Sequence, residues 1–110
     1  MKYCLASLLL AATAAGAAEP ATPANSDGAR LFESRCALCH RGTGPGVFML
    51  DRRLGSESSI LEQRNDLVAA YVSNIVRVGI GSMPRFSRGE ISDDELALIA
   101  GYLAKADKQN

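Results

Sequence analysis

The sequence has no tryptophan, a single histidine and few other aromatic residues, and its formal net charge is zero. Balanced charge lacks the basic excess that is typical of nucleic-acid-binding domains, so nothing indicates a nucleic-acid partner. With so few bulky side chains in 110 residues, the protein has little material for an apolar core. Small domains of this kind usually need a disulfide, a metal or a cofactor for stability.

No apolar run is long enough to span a membrane, which takes about 20 residues. The most apolar stretch, Leu5 to Ala15, follows Lys2 and is followed by small residues up to Ala18. This order of charge, short apolar stretch and small residues predicts a secretory signal peptide in residues 1–18. Cleavage after Ala17 fits equally well, and a buried N-terminal helix is the alternative. We therefore expect a periplasmic protein.

The exported chain would hold one domain. Residues 19–25 contain two prolines and predict a flexible lead-in, followed by a domain over 26–110. Removal of residues 1–18 takes Lys2 from the 12 basic side chains, leaving 11 against 12 acidic ones. Cys4 is lost as well, so the remaining cysteines are Cys36 and Cys39. A disulfide between them would close too small a loop to stabilise much, so we expect them to hold something else.

Helical periodicity and capping signals predict an all-α domain with long loops. The three predicted helices run from 26 or 27 to 36, from 65 or 66 to 78, and from 93 to 106. Ser92 and Glu95 form a predicted capping box at the start of the third helix. Glycine and proline predict loops over 41–55 and 80–90. Residues predicted to face the core are Val68, Tyr71, Val72, Ile75 and Val78 in the second helix, and Leu96, Ile99, Leu103 and Ala106 in the third.

The most informative motif is Cys36-Ala37-Leu38-Cys39-His40. Two thiols at this spacing can each add to a vinyl group of one haem, and the following histidine can ligate the iron, which is why the pattern indicates covalent haem c attachment. A zinc site would need further Cys or His ligands, which the exported chain lacks. A thioredoxin-like redox pair would need a βαβ context. Because iron takes the only histidine, no hydrolytic constellation remains.

Two methionines are candidates for the second axial position of the iron. Met83 lies in a loop with Gly79, Gly81 and Pro84, where glycines allow the backbone to approach a flat ring. Met49 lies among apolar neighbours and is predicted to pack in the pocket. We therefore predict His40 and Met83 as the iron ligands, an arrangement typical of electron carriers.

These motifs resemble the class I, monohaem cytochromes c over residues 28–105. The resemblance implies a cytochrome c-like fold in which Gly28 and Phe32 of the first helix cross Ile99, Gly101 and Tyr102 of the last. It also implies that the carbonyl of Pro45 accepts a hydrogen bond from the His40 ring.

The segments 70–77 and 83–86 are further similar to the cytochrome subunit of p-cresol methylhydroxylase-type flavocytochromes. That similarity implies a flavin-dependent dehydrogenase as electron donor, with this chain as a possible subunit. Arg52, Arg53 and Arg77 are candidates for contacts with the haem propionates, or else solvated surface charges.

The sequence thus predicts an electron-transfer protein and not an enzyme, with one covalent haem c. The alternative is a gas-binding or catalytic haem protein whose sixth ligand is easily displaced. The predicted docking region for redox partners comprises Ala37, Leu38, Arg41, Gly42, Ser82 and Arg85.

Overall fold

The computed structural model describes residues 23–105, and within that range the chain is helical. The helices are α1 (Pro23–Arg35), α2 (Ala37–His40), α3 (Pro45–Leu54), α4 (Ala69–Val78) and α5 (Asp93–Leu103), with short 3₁₀ turns at Ser56–Ser58 and Leu61–Gln63. The predicted all-α class is confirmed. The predicted signal peptide, residues 19–22 of the predicted lead-in and Ala106 lie outside the described residues, whereas residues 23–25 of that lead-in belong to α1, which begins earlier than predicted.

The core is built where α1 crosses α5. Phe32 and Ile99 are fully buried there, and the rings of Phe32 and Tyr102 lie 5.9 Å apart. Gly28 permits the crossing, because a Cβ at this position would lie 2.4 Å from the Leu98 carbonyl oxygen and 2.7 Å from the Tyr102 Cβ. The predicted contact of Gly28 and Phe32 with the last helix is therefore confirmed.

Gly101 does not take part in that close contact. A Cβ built there would meet nothing within 4 Å, so the small residue expected in the crossing on the α5 side is not needed. The α5 side instead offers the backbone of Leu98.

The start of α5 follows the predicted capping box. Ser92 Oγ accepts a hydrogen bond from the Glu95 amide at 3.1 Å, and the Glu95 carboxylate accepts one from the Ser92 amide at 2.8 Å. The predicted core positions Leu96, Ile99 and Leu103 are all buried. Helix α5 ends at Leu103, three residues before the predicted end.

The loop predicted over residues 41–55 is wrong in its second part, which forms α3. Pro45 occupies the first turn of this helix, where its fixed φ fits and its missing N–H costs nothing. Gly55 follows the helix with a φ of 88°, a conformation that glycine adopts readily. The glycine and proline residues therefore bound a helix, and the apolar and charged residues between them form it.

Helix α4 begins at Ala69, later than predicted, because the Asp66 carboxylate is bound by the Arg64 guanidinium at 2.8 and 2.6 Å and caps no helix. Its core contacts also differ from those predicted. Val72 and Val76 are buried. Of the other residues predicted to face the core, Ile75 is half-buried, and Val68, Tyr71 and Val78 are exposed.

The crossing of α1 and α5 should tolerate no added methyl group at Gly28. We expect Gly28→Ala to lower the free energy of unfolding by about 1–3 kcal/mol, because the added Cβ must push two backbones apart. Gly101→Ala is the matched control, since its Cβ meets open space, and it should raise that free energy by roughly 0.5–1 kcal/mol. Denaturant unfolding of the two purified variants, followed by circular dichroism, measures both effects. Equal stabilities would contradict the proposed close packing.

Candidate cofactor site

Residues 36–40, the attachment motif, form a helical turn directly after α1. The Cys36 amide donates to the Phe32 carbonyl at 2.8 Å, and the Cys36 carbonyl accepts from the Cys39 and His40 amides at 3.1 and 3.0 Å. Both thiols are free, with Cys36 half-buried and Cys39 exposed. Burial raises the pKa of Cys36 to about 11, so this thiol is protonated at neutral pH. Ala37 is buried beneath the turn, which anchors it to the core.

His40 ends this turn with a half-buried imidazole. Burial lowers the pKa of His40, so the ring is neutral at neutral pH, which is the form that ligates a metal. Its Nδ1 atom is buried and has no hydrogen-bond partner among the described residues. A buried ring nitrogen without a hydrogen-bond partner is rare in proteins and indicates a functional site.

The predicted hydrogen bond from His40 to the Pro45 carbonyl is therefore not formed in this structure. Pro45 is the first residue of α3, and the carbonyl of a helical residue points along the axis toward the amide four residues on. Its neighbour Gly46 contacts the imidazole instead. A Cβ at Gly46 would lie 3.0 Å from both Cε1 and Nδ1 of His40.

Gly44 and Gly46 pack closely against the attachment motif, although the sequence predicted only a loop around them. A Cβ at Gly44 would lie 2.5 Å from the Cys39 carbonyl oxygen, and one at Gly46 would lie 2.7 Å from the same atom. The start of α3 thus rests directly on the attachment motif and on the His40 ring. In the sequence, glycines on both sides of Pro45 were the one feature that could have indicated this close packing.

Met83 is presented by a tight turn in the loop between α4 and α5. The Ile80 amide donates to the Met83 carbonyl at 3.1 Å, and the Met83 amide donates to the Ile80 carbonyl at 2.9 Å. Gly81, the first central residue of the turn, has a φ of 57°, and Ser82, the second, has a negative φ. A positive φ at the first central position alone is typical of a type II′ turn. Met83 is half-buried and packs against the core cluster.

Arg77, one of the candidates for a propionate contact, makes hydrogen bonds within the protein. Its Nη1 donates to the carbonyls of Phe86 and Ser87 at 3.2 Å each, and its Nη2 donates to Asp93 at 2.7 Å. Arg52 and Arg53, in the last turn of α3, are exposed. The Arg52 guanidinium lies 5.6 Å from the centre of the Phe48 ring.

The exposed apolar residues of α3 and α4 fit a large, flat, apolar cofactor. The exposed residues Val68, Tyr71 and Val78 and the half-buried Ile75 are spaced three and four residues apart, so they follow one face of α4 from its N-cap, a different face from that of its buried valines. Phe48, Met49 and Leu54 of α3 are also exposed. Exposed apolar surface on this scale marks a binding site in a small protein. Its apolar character matches the faces of a porphyrin.

Metal binding by protein side chains alone has no comparable support. Among residues 23–105, no three His, Cys, Asp or Glu side chains come together as a metal-binding group. Cys36, Cys39 and His40 instead follow one another in a single helical turn, with the spacing that covalent haem attachment requires.

A network of hydrogen bonds centred on Glu62 fastens the attachment motif to α5. The Glu62 carboxylate accepts two hydrogen bonds from Arg41 at 2.9 and 2.7 Å and one from the Tyr102 hydroxyl. Lys105 Nζ donates to the Glu62 carbonyl at 3.0 Å, and Arg41 also pairs with Glu33. These partners lie up to 43 positions apart in the chain, so no spacing rule could have found them.

The pKa values of Glu62 and Tyr102 are shifted in opposite directions within this network. Hydrogen bonding by Arg41, and then by Tyr102, holds the pKa of Glu62 below its ordinary value of 4.5. Burial, followed by the hydrogen bond to Glu62, raises the pKa of Tyr102 to about 12. At neutral pH, Glu62 is therefore a carboxylate and Tyr102 a neutral donor.

A helical Cys-x-x-Cys-His turn, followed by a methionine-bearing turn in an all-α domain, defines a c-type cytochrome. The sequence pattern of the family described as "Cytochrome C oxidase, cbb3-type, subunit III" matches residues 23–103. Cytochrome c6 of Cyanidium caldarium is 39% identical over 82 residues, covering 74% of this chain and 71% of the relative. Cytochrome c6 of Microcystis aeruginosa is 36% identical over 83 residues, covering 74% of this chain and 98% of the relative.

A third relative is the 4-cresol dehydrogenase [hydroxylating] cytochrome c subunit of Pseudomonas putida, 33% identical over 80 residues. The match covers 70% of this chain and 58% of that protein. No solved structure matches the chain. The chain belongs to the class I cytochrome c family, and it is an electron carrier with covalently bound haem c and not an enzyme. No helix within residues 23–105 is long and apolar enough to cross a membrane.

Replacing Glu62 should weaken the protein in a pH-dependent way. We expect Glu62→Gln to lower the free energy of unfolding at neutral pH by about 1–3 kcal/mol, because hydrogen bonds to a charged group are lost. Because the folded pKa lies below 4.5, this contribution is present above that pH and disappears as the pH falls through the folded pKa.

The measurement is urea unfolding of the haem-loaded protein at a series of pH values. The difference between the two proteins should shrink on acidification. Glu57→Gln, at an exposed position in the neighbouring turn, is the control and should show little difference at any pH. A difference for Glu62→Gln that stays constant down to acidic pH would contradict this role of the carboxylate.

Proposed function

We propose that Cys36 and Cys39 hold the haem through two thioether bonds and that His40 and Met83 are its axial iron ligands. The attachment motif carries this proposal, because its helical turn presents both thiols and a neutral imidazole together. When bound, haem supplies an iron that alternates between ferrous and ferric states, which is the chemistry of one-electron transfer.

The protein's own groups determine how that iron behaves. Gly46 contacts the His40 ring, so the start of α3 limits the rotation of the imidazole. Met83 offers a thioether, a soft ligand that raises the reduction potential by favouring the ferrous state. The apolar face of α4 would exclude water from a bound haem, which would lower the solvent reorganisation that accompanies a change in the charge of the iron.

A carrier whose iron was held by both His40 and Met83 would need no substrate at the metal. Met83 is held in a hydrogen-bonded turn and packs against the core, which supports a firmly held sixth ligand. The alternative of a gas-binding or catalytic haem with an easily displaced ligand receives no support from the relatives, which are named as cytochrome c6 and as a cytochrome subunit.

We further propose that the protein works in the periplasm, exported by a signal peptide in residues 1–18, with a domain over 26–110. A flavin-dependent dehydrogenase is the proposed electron donor. One of the relatives is named as the cytochrome c subunit of a dehydrogenase, which supports a partner of that kind. Co-purification of the native protein with a flavoprotein tests this assignment.

Leu38 and Arg85 of the predicted docking region are exposed and support the proposal. Leu38 is 89% exposed between the two cysteines, which gives the region an apolar centre. Arg85 is exposed beyond Met83 and carries positive charge at its edge. Arg41, by contrast, is bound to Glu62 and Glu33 and contributes little free charge. Weak redox complexes use small interfaces, so one charged residue has a measurable effect.

Removal of the Met83 thioether tests the axial ligands. We expect Met83→Ala to retain covalent haem but to lose the weak red absorption band of ferric iron–thioether ligation. Because the sixth position of the iron is open in Met83→Ala, its ferrous form should bind carbon monoxide promptly. The unaltered protein should resist carbon monoxide. Met49→Ala is the matched control and should keep the band. If Met49→Ala loses the band and Met83→Ala does not, the assignment of the ligand is reversed.

Charge reversal at Arg85 tests the docking region. We expect Arg85→Glu to slow electron exchange with the physiological donor by roughly tenfold at low salt, and less at high salt, because rim charges act mainly on association. Stopped-flow mixing with the donor measures this rate. Arg30→Glu, an exposed change on α1, is the control for net charge. Equal rates for the two variants would remove Arg85 from the interface.

A further inference from the structure

We propose that Arg77 is a positioning residue that determines how firmly Met83 is held as an iron ligand. This inference rests on the proposed ligation by Met83. Arg77 lies in the last turn of α4, and its side chain is only 19% exposed. Its guanidinium reaches three acceptors in two other parts of the chain: two carbonyls that follow Met83 and the carboxylate of Asp93.

The three acceptors place Arg77 at the base of the Met83 loop, which we define as residues 79–86. The loop leaves α4 at Gly79 and returns to it at Phe86, whose amide donates to the Val76 carbonyl at 2.8 Å. Arg77 Nη1 then donates to the carbonyls of Phe86 and Ser87. Both ends of the loop are thereby tied to the last turn of α4.

Two further contacts keep the loop close to α4. Gly79 has a φ of 77°, and a Cβ there would lie 2.9 Å from the Met83 carbonyl oxygen and 3.0 Å from the Arg85 amide. The backbone on either side of Pro84 therefore packs on the end of the helix. Displacement of Met83 from iron requires this loop to move, and the hydrogen bonds of Arg77 oppose that movement.

Asp93 connects the same guanidinium to the start of α5. Its carboxylate accepts from Arg77 through one oxygen and from Arg88 through the other, each at 2.7 Å. Hydrogen bonding by Arg88, and then by Arg77, holds the pKa of Asp93 below its ordinary value. Arg88 is 76% exposed, and of the two arginines Arg77 is the one that donates to the carbonyls of Phe86 and Ser87.

This difference makes Arg88 the matched control. Both arginines bond the same carboxylate, so replacing either one removes one charge and one ion pair with Asp93. Only the replacement of Arg77 also removes the hydrogen bonds that hold the Met83 loop. A lysine at position 77 would keep the charge but lose the planar fork that reaches several acceptors at once.

An added ligand measures the firmness of Met83 directly. Imidazole binds the ferric iron only when the Met83 loop opens, so its apparent affinity is proportional to the open fraction. We expect Arg77→Gln to raise that affinity about tenfold, the effect of losing about one charge-assisted hydrogen bond. Arg77→Lys should lie between the two proteins, and Arg88→Gln should match the unaltered protein. Spectroscopic titration of the haem-loaded ferric proteins with imidazole provides the data.

Unfolding in urea, measured on the same samples, separates positioning from stability. A merely structural role would lower the unfolding midpoint of Arg77→Gln and leave the imidazole affinity of the folded protein unchanged, and that result would overturn the proposal. Equal affinities for Arg77→Gln and Arg88→Gln would overturn it as well. Should Arg77→Gln fail to fold, Arg77→Lys and Asp93→Asn answer the same question, since each weakens the network without removing it.

The Met83→Ala protein distinguishes this inference from the proposed function. If Met83→Ala binds imidazole no better than the unaltered protein, Met83 is not the ligand and the proposed ligation fails. If Met83→Ala binds imidazole tightly while Arg77→Gln does not, the ligation stands and only the role of Arg77 is rejected.

Discussion

The close crossing of α1 over α5 at Gly28 is the constraint on which the rest of the structure depends. Helix α1 carries Gly28 and Phe32 four residues apart, and Cys36 follows the end of the helix after four more residues, so the crossing that buries Phe32 also places Cys36 about one turn further along. The attachment motif follows directly from α1 through the hydrogen bond of the Cys36 amide. The position of the thiols and of His40 is therefore a consequence of helix packing at the core.

The two sides of the proposed haem site are held by different physical means. On the His40 side, glycines allow the backbone of α3 to rest on the attachment motif and on the imidazole, so the constraint is steric. On the Met83 side, a tight turn and the hydrogen bonds of Arg77 hold the loop, so the constraint is polar. The two proposed iron ligands therefore lie in different settings, His40 against closely packed backbone and Met83 in a hydrogen-bonded loop.

Charged residues in this protein serve mainly to connect segments that are distant in the chain. Arg41 and Glu62 join the attachment motif to the turn at 61–63, and Tyr102 joins both to α5. Arg77 and Asp93 join α4 to α5. These bonds leave Arg41 and Arg77 less free for a partner. Of the two arginines in the predicted docking region, Arg85 makes none of these bonds and is exposed.

The sequence alone determined the all-α class, the attachment motif, the capping box of α5 and the choice of His40 and Met83 as candidates, because each depends on local spacing or local backbone chemistry. The tertiary structure decided the rest. Helix α3 was not predicted, because the glycines around it, which allow close packing, are also typical of loops. The apolar residues of α4 lie on a buried face and an exposed face, and periodicity does not say what each face contacts. The partners of Arg77, Arg41 and Glu62 depend on how the helices pack, which brings together residues that no local pattern relates.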